Sequence, residues 1–360
     1  MRRASALSIV PASSADVSGV APPLRIADLA AHAGKPISGI FRLSAYQART
    51  DRYGRPYWQA RLEDMSGALC VYGWKQTFTP DPCVGIGQPV EAELRIRFLN
   101  GGPIGDLVAL RPAPAQSLNP LRLLPRSRLP QPDCAKRLEQ FIDTCPVPVL
   151  QQFLFGVFSE EPLARAFLTL PASQAHHHAW AGGLAEHSLE VAALVERTLV
   201  RETLSDRTLA VVAGLLHDIG KARVLHADGQ RTSLGFVLRH EVLTLELLAD
   251  GLRFLESRWP DGAVALRYLL TWRSGVRDSR PLLPSVLALQ FADRYSSATA
   301  TRDQAFHRKP DWQRFARLEV VGPPTRFWRP HHFPGRCETG LSGCDIADPD
   351  SCRVRRAETG

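Results

Sequence analysis

The sequence lacks the features that would place a protein in or across a membrane. No stretch approaches the ~18 uninterrupted apolar residues of a transmembrane helix, and the apolar residues 6–10 are too short for a secretion signal. The seven cysteines are odd in number and irregularly spaced, which argues against a disulfide framework. Cys337, Cys344 and Cys352 match no compact zinc knuckle. These absences predict a cytoplasmic protein with no membrane partner.

Lysine is scarce as well, since only five of the 44 basic residues are lysine. The net charge of +8 is concentrated in residues 1–130, which hold 16 basic and 9 acidic residues. Residues 131–360 are nearly neutral, with 28 basic and 27 acidic residues. A basic excess confined to one part of a chain is typical of proteins that bind a polyanion. A merely soluble, arginine-rich surface is the alternative.

The N-terminal third contains short runs in which apolar and polar residues alternate. Residues 1–24, rich in Ala, Ser and Pro, precede these runs and are predicted to be disordered. Turn-forming residues separate the runs, which read as strands. The predicted strands are residues 37–43, 57–62, 68–74, 89–98 and 105–110. Five short strands in so few residues predict a small, OB-like closed barrel over residues 25–115.

The remainder of the chain has the apolar period of helices. A proline-rich linker, residues 116–134, leads into a helical domain, residues 135–320, and residues 321–360 are predicted to be a poorly ordered tail. The predicted helices are residues 135–143, 147–157, 160–168, 183–201, 206–217, 239–256, 261–272 and 284–303. The fold class is therefore an α+β multidomain protein, with a small N-terminal β-barrel followed by an all-α helical bundle.

An adjacent histidine and aspartate, His217 and Asp218, end an apolar run and are followed by Gly220 and Lys221. Neighbouring residues of a helix diverge by about 100°, so both side chains can bind one ion only at a helix end. Gly220 is consistent with such an end. The pair therefore forms half of a candidate site for a divalent metal.

His187 and Asp293 are candidates for the other half of this site. His187 opens a predicted helix, and Asp293 follows a mostly apolar stretch of another. Two imidazoles and two carboxylates suit Mn²⁺, Mg²⁺, Fe²⁺ or Zn²⁺. An ion of this kind promotes hydrolysis of phosphate esters. Taken singly, each residue is more often a structural one, because a buried histidine is more often satisfied by a backbone carbonyl than by a metal.

The ordered set His187, His217–Asp218 and Asp293 resembles the HD superfamily of metal-dependent phosphohydrolases. The residues from His176 to Glu190, which include three consecutive histidines, resemble two groups of HD proteins. These are the YhaM-type 3′-5′ exoribonucleases, which also carry an N-terminal OB-fold, and the TraI/MobH-type conjugative relaxases. The order of barrel and helices is similar to that of the exoribonucleases.

The resemblance implies roles for individual residues. His187, His217, Asp218 and Asp293 would bind one ion, and Lys221 would approach the substrate phosphate. His240 stands where relatives with two ions supply a ligand for the second, although it could also be a surface residue near a helix start.

Two further regions of the site remain open. The relatives with two ions carry another histidine where this chain has Trp272 and Arg273, so a second ion is uncertain. Arg273 could supply a positive charge at the phosphate instead. One of His177 and His178 is expected to face the site, as a phosphate contact, an acid or an extra ligand.

The predicted first hairpin of the barrel combines aromatic residues with arginines, as single-strand-binding OB-folds do. Only half of the aromatic residues can face a ligand, because alternate side chains of a strand point to opposite faces. The barrel could instead dock a protein. The candidate nucleic-acid contacts are Arg52, Arg55, Tyr57, Trp58, Arg61 and Trp74.

These features together predict a metal-dependent phosphodiesterase or exonuclease that acts on single-stranded RNA or DNA. Hydrolysis of a small nucleotide is an alternative. A third hypothesis, from a different class, is a TraI/MobH-like nucleic-acid-binding accessory protein of a mobile element with a weakened HD site.

Overall fold

Two regions of regular structure follow one another along the chain. The computed structural model describes residues 24–79, 81–114, 118–174, 178–272, 282–318 and 325–330. The predicted disorder of residues 1–24 falls almost entirely outside the described residues, as do His177 and Arg273. The first region begins with a 3-10 helix, Ile26–His32.

Five strands form the closed barrel that the sequence predicted: β1 (Pro36–Thr50), β2 (Pro56–Asp64), β3 (Gly67–Trp74), β4 (Pro89–Leu99) and β5 (Gly102–Pro112). Their order is β1-β2-β3-β5-β4, and β1 closes the barrel on β4. Only the β3–β5 pair is parallel. Alternate residues such as Leu62, Val71 and Leu94 are buried inside, which is why the two-residue period of the sequence located these strands.

Within the predicted linker, the structure describes residues 118–134. This segment contains two 3-10 turns, Pro120–Leu123 and Arg126–Arg128. The backbone of Met65, in the turn between β2 and β3, exchanges two hydrogen bonds with this segment, at 2.7 and 3.2 Å. On its other side the segment contacts the helical region, where the side chain of Arg122 pairs with Glu139 at 2.9 Å. The prolines suggested a spacer, but the segment connects the barrel to the helices by direct contacts.

Eleven helices make up the second region within the described residues: α1 (Pro132–Asp143), α2 (Pro148–Ser159), α3 (Glu161–Thr169), α4 (Gly183–Thr198), α5 (Leu204–Leu216), α6 (Lys221–Val224), α7 (Ser233–Val237), α8 (His240–Leu247), α9 (Ala249–Arg258), α10 (Pro260–Thr271) and α11 (Ser285–Phe306). Phe153, Phe167 and many leucines form their common core. None of the helices in the described ranges is long and apolar enough to cross a bilayer. The predicted all-α second region is confirmed.

Three details differ from the predictions. The helix expected over 239–256 is two helices, α8 and α9, which meet at Leu248. The short helices α6 and α7 were not predicted, because a single turn carries no apolar period. The tail contains a strand, β7 (Thr325–Trp328), paired with β6 (Phe315–Leu318). The prediction of a poorly ordered tail from residue 321 is therefore wrong for this strand, where Phe327 packs on Phe306 and Ala316.

Candidate metal centre

His217 and Asp218 follow the last residue of α5 and occupy the turn between α5 and α6. The Nδ1–H of His217 donates to the carbonyl oxygen of Gly214 at 2.8 Å. Nδ1 therefore carries the proton in the neutral ring, and the lone pair of Nε2 is available to an ion. The helix end predicted from the sequence is present, and it lets both side chains turn toward one point.

Gly220 is required in this turn for a steric reason. A Cβ atom there would lie 2.0 Å from the carbonyl oxygen of His240, at the start of α8. The Gly220 amide also donates to Oγ1 of Thr244 at 3.0 Å. The predicted role of a helix stop is thus incomplete, because the glycine mainly allows α8 to pack against the metal-site turn.

His187 is fully buried on α4, and a chain of polar contacts behind it fixes its ring. Ser296, on α11, donates its hydroxyl hydrogen to Glu190 at 2.8 Å. The hydroxyl oxygen lies 3.1 Å from Nδ1 of His187. Because the only hydroxyl hydrogen is already used, this contact requires Nδ1–H to donate to Ser296. Nε2 of His187 then faces the site as an acceptor, like that of His217.

The four predicted ligands converge through these Nε2 atoms. Nε2 of His187 lies 3.2 Å from Oδ1 of Asp293 and 3.6 Å from Oδ2 of Asp218. Nε2 of His217 lies 3.4 Å from Oδ2 of Asp218 and 3.7 Å from Oδ1 of Asp293. Donor atoms bound to one ion at about 2.0–2.2 Å stand roughly 3–3.5 Å apart. The observed separations fit a shared divalent ion.

Two further observations support this fit. Nε2 of His217 is buried and makes no hydrogen bond to any described residue, which is a costly arrangement unless a ligand satisfies the atom. The donor set of two imidazoles and two carboxylates is one that divalent transition metals accept. His187, His217 and Asp218 also form a compact group of possible ligands among the described residues.

The pKa shifts of the histidines and carboxylates in the cluster also indicate that a positive charge is favoured between them. Burial lowers the pKa of His187. Burial also opposes the charge of His217, but the nearby carboxylates, mainly Asp218, outweigh it and raise the pKa of His217 to about 10. Burial acts to raise the pKa of Asp293, and the interactions with the two nearby histidines overcome it and hold that pKa far below its usual value. Without a metal, a proton thus supplies the positive charge that the carboxylates require.

Lys221 and His240 both contact Asp218. Nζ of Lys221 lies 2.5 Å from Oδ2, and Nε2 of His240 lies 2.9 Å from Oδ1. The two oxygens of Asp218 therefore face different partners, and His240 lies on the outer side of this carboxylate. A cavity of about 280 Å³ opens beside these residues, with Trp272 and Leu269 in its wall. Trp272, the described member of the pair at which a further histidine was expected, is thus part of an apolar wall.

His178 lies behind His187 and does not reach the cavity. Only 2% of its surface is exposed, and its Nε2 atom is 3.3 Å from Oε2 of Glu190. Its backbone has a positive φ of 50°, and Gly183 packs directly on its carbonyl oxygen. This location does not fit the predicted contact with a substrate phosphate; it makes His178 part of the support for a ligand. His177 lies outside the described residues.

Sequence reasoning missed Glu190, Ser296 and Thr244, which orient the ligands. A signal for two of them was present: Glu190 follows His187 by three positions, and Ser296 follows Asp293 by three. Residues three apart share a helix face. A polar residue so placed beside a candidate ligand could have been recognised as its support.

The outer face of β2 and β3, with the loop that precedes β2, carries three of the six candidate nucleic-acid contacts. Tyr57 lies opposite Trp74 with their rings 5.3 Å apart, and Tyr72 is next to them. Arg55 lies over Trp74, and its guanidinium pairs with Asp51 at 2.8 Å. These residues form an aromatic surface with a cationic edge.

The other candidates of the barrel are placed differently. Trp58 points to the opposite face, where it stacks on Tyr46 at 4.8 Å and packs against the barrel core. It therefore does not fit the predicted role of a nucleic-acid contact. Arg61 points outward but pairs with the buried carboxylate of Glu63 at 3.1 Å. Arg52 lies over the exposed ring of Tyr53.

A helical domain with a His, His-Asp and Asp cluster beside an open cavity defines the class of metal-dependent phosphohydrolases. Residues 184–298 match the HD domain family. This match contains all four predicted ligands, and this part of the chain is an HD domain. The resemblance predicted from the sequence motifs is thereby confirmed.

The chain is also similar to two curated 3′-5′ exoribonucleases named YhaM. The one from Oceanobacillus iheyensis is 22% identical over 193 residues, which cover 53% of this chain and 60% of that protein. The one from Bacillus velezensis is 20% identical over 282 residues, 76% of this chain and 89% of that protein. The similarity to TraI/MobH-type relaxases stays a prediction.

Proposed function

We propose that this protein is a metal-dependent phosphodiesterase that removes nucleotides from an end of single-stranded RNA or DNA, as a 3′-5′ exoribonuclease does. The convergence of His187, His217, Asp218 and Asp293 carries this proposal. A divalent ion held there would act as a Lewis acid toward a phosphodiester. The printed names of the two relatives support the choice of nucleic acid over other phosphate esters.

The protein's own residues have distinct tasks in this proposal. Ser296 and Gly214 hold the two imidazoles with Nε2 facing the ion. Lys221, held against Asp218, presents an ammonium group at the wall of the cavity and favours an anionic substrate. The apolar wall that includes Trp272 excludes water on one side, which strengthens these charge interactions.

We propose one ion rather than two. Lys221 already places a positive charge on Asp218, the carboxylate that a second ion would share with the first. His240 is the other partner of this carboxylate. A hydrogen bond between His240 and Asp218 accounts for their 2.9 Å contact without a second metal.

The barrel would capture the strand. Its outward aromatic pair, Tyr57 and Trp74, offers stacking surface to bases, and its arginines suit the phosphates. Such recognition is tolerant of sequence, because every base has a flat face.

The test is to incubate 5′- and 3′-labelled single-stranded RNA and DNA with the purified protein and Mn²⁺, Mg²⁺, Fe²⁺ or Zn²⁺, or with no metal. We expect metal-dependent shortening from one end, abolished by Asp293→Asn. An absence of degradation of both polymers with every metal would refute the proposal. Hydrolysis confined to small nucleotides would favour the small-nucleotide alternative, and binding of strands without hydrolysis would favour the accessory protein.

A further inference from the structure

A second cavity, of about 520 Å³, adjoins the metal-site cavity. The two cavities share Lys221, His240 and Glu241 in their walls, so they lie side by side. Residues 172–174, before the histidine-rich segment, form one wall of the second cavity, and the region from Val224 to Arg239 forms another. Its volume lies within the range of small-ligand sites, about 300–1,000 Å³, and is much larger than a single phosphate requires.

The charged residues in the described lining of this cavity are mainly cationic. Lys221 pairs with Asp218 at the metal site, so Arg231 and Arg239 stand against the single carboxylate of Glu241. That carboxylate is already paired with Arg239 at 2.9 Å. The second cavity therefore favours an anion, in contrast to the carboxylate-rich metal site beside it.

Arg231 is held in place at this wall. Its Nε–H donates to Oε1 of Gln174 at 3.2 Å, and its backbone pairs with Leu225 across a tight turn. The side chains of Arg231 and Gln174 are both exposed, and the hydrogen bond through Nε leaves the terminal donors of the guanidinium for a phosphate.

The lining also contains apolar side chains, among them Val224, Leu225 and Leu238. A wall of this kind packs against a sugar or a base rather than against a free ion. An anionic edge and an apolar body are the chemistry of a nucleotide.

We infer that the second cavity holds the nucleotide next to the scissile bond of a strand, with Arg231 contacting its phosphate. This inference rests on the proposed function. A nucleoside polyphosphate would present similar chemistry, since its additional phosphates could reach the same arginine. The strand is favoured because the second cavity lies beside the metal site and has room for a whole nucleotide.

The test compares Arg231→Ala with Arg231→Lys and with Arg258→Ala, which removes an exposed arginine at the end of α9. Each variant is assayed on a short oligonucleotide, on a nucleoside triphosphate and on bis(p-nitrophenyl) phosphate, which has one phosphodiester and no further phosphate. We expect Arg231→Ala to lower kcat/KM for the oligonucleotide at least tenfold, with less than a twofold change for bis(p-nitrophenyl) phosphate. Arg231→Lys should recover part of the loss, and Arg258→Ala should behave as the wild type.

Two results would overturn the inference. An equal loss on the oligonucleotide and on bis(p-nitrophenyl) phosphate would mean that Arg231 only supports the fold or the metal site. An Arg231-dependent effect restricted to the nucleoside triphosphate would assign the cavity to a small nucleotide.

A binding experiment separates this inference from the proposed function. Fluorescence anisotropy of a labelled oligonucleotide, measured with chelator over a range of salt concentrations, needs no catalysis. Loss of one phosphate contact should reduce the slope of log K against log salt by about 0.7 in Arg231→Ala but not in Arg258→Ala. This difference would support the cavity assignment even if the wild type cleaved no strand, and identical slopes would contradict it.

Discussion

His187 and Ser296 are 109 positions apart in the chain, yet Nδ1 of the histidine lies 3.1 Å from Oγ of the serine. The serine hydroxyl donates a hydrogen bond to Glu190, and the carboxylate of Glu190 lies 3.3 Å from Nε2 of His178. This chain of polar groups determines which nitrogen of His187 faces the candidate metal site. Supporting residues of this type set both the orientation and the basicity of a metal ligand.

Ser296→Ala should therefore weaken metal binding without removing a ligand. We expect the metal affinity to fall about 10–100-fold, the range typical for loss of a ligand's hydrogen-bond partner. Competition with a chelating dye measures this affinity. Thr301→Ala, which removes a hydroxyl further along the same helix, is the matched control, and equal affinities of the two variants would contradict the positioning role.

The two carboxylates should differ in their effect on stability. The side chain of Asp218 is 5% exposed and pairs with Lys221, whereas that of Asp293 is 44% exposed. Removing one partner of a buried ion pair costs about 3–5 kcal/mol, so Asp218→Ala should lower the melting temperature of the metal-free protein far more than Asp293→Ala. Both variants should contain little metal by elemental analysis. Equal melting temperatures would show that the Asp218 pair contributes little.

Metal binding should release a proton from His217. The raised pKa of this histidine, about 10, means that its imidazole is protonated in the metal-free protein at pH 8. The ion must displace that proton, so affinity should rise about tenfold per pH unit up to that pKa. His187, whose pKa is lowered by burial, adds no such dependence.

Isothermal titration calorimetry in two buffers with different ionisation enthalpies counts the protons released. We expect about one proton per ion at pH 8. A count near zero would mean that the metal-free protein holds His217 neutral.

Gly220→Ala should destabilise the helical domain. The new methyl group would meet the backbone of α8, which cannot move aside without disturbing His240. Overpacking of this kind costs about 1–3 kcal/mol. Gly156→Ala provides the opposite case, because this glycine lies within α2 with open space around it. That substitution should stabilise the helix by roughly 0.5–1 kcal/mol. Thermal unfolding should show a lower melting temperature for Gly220→Ala and a higher one for Gly156→Ala than for the wild type.

The barrel offers a paired test of strand binding. Tyr57→Ala should weaken binding of single-stranded RNA or DNA by about 1–3 kcal/mol, the usual value of one base–aromatic stack. Trp58→Ala should instead lower the stability of the barrel, because Trp58 stacks on Tyr46 and packs on the core. Anisotropy titration and thermal unfolding distinguish the two effects. A larger loss of affinity from Trp58→Ala, with the fold intact, would assign binding to the other face.

Much of the site was predictable because its residues are ordered locally. The pair His217–Asp218 is adjacent in the chain, so any helix end there brings both side chains together. The barrel strands were predictable because burial on one face imposes a two-residue period. The contacts of the predicted linker could not be predicted, because its prolines indicate only the local backbone conformation. Leucines of this segment, such as Leu121 and Leu124, are buried against the helices.

The sequence by itself thus determined the order of barrel and helices, the types of the four ligands and the sign of the charge in each part. Only the tertiary structure decided which nitrogen of each histidine faces the ion and that Lys221 and His240 share Asp218. It also decided that His178 is a buried support, that Trp58 faces inward and that a second cavity with Arg231 in its wall lies beside the metal-site cavity. The physical reason is that periodicity and composition encode burial, whereas hydrogen-bond direction and cavity shape arise from contacts between residues far apart in the chain.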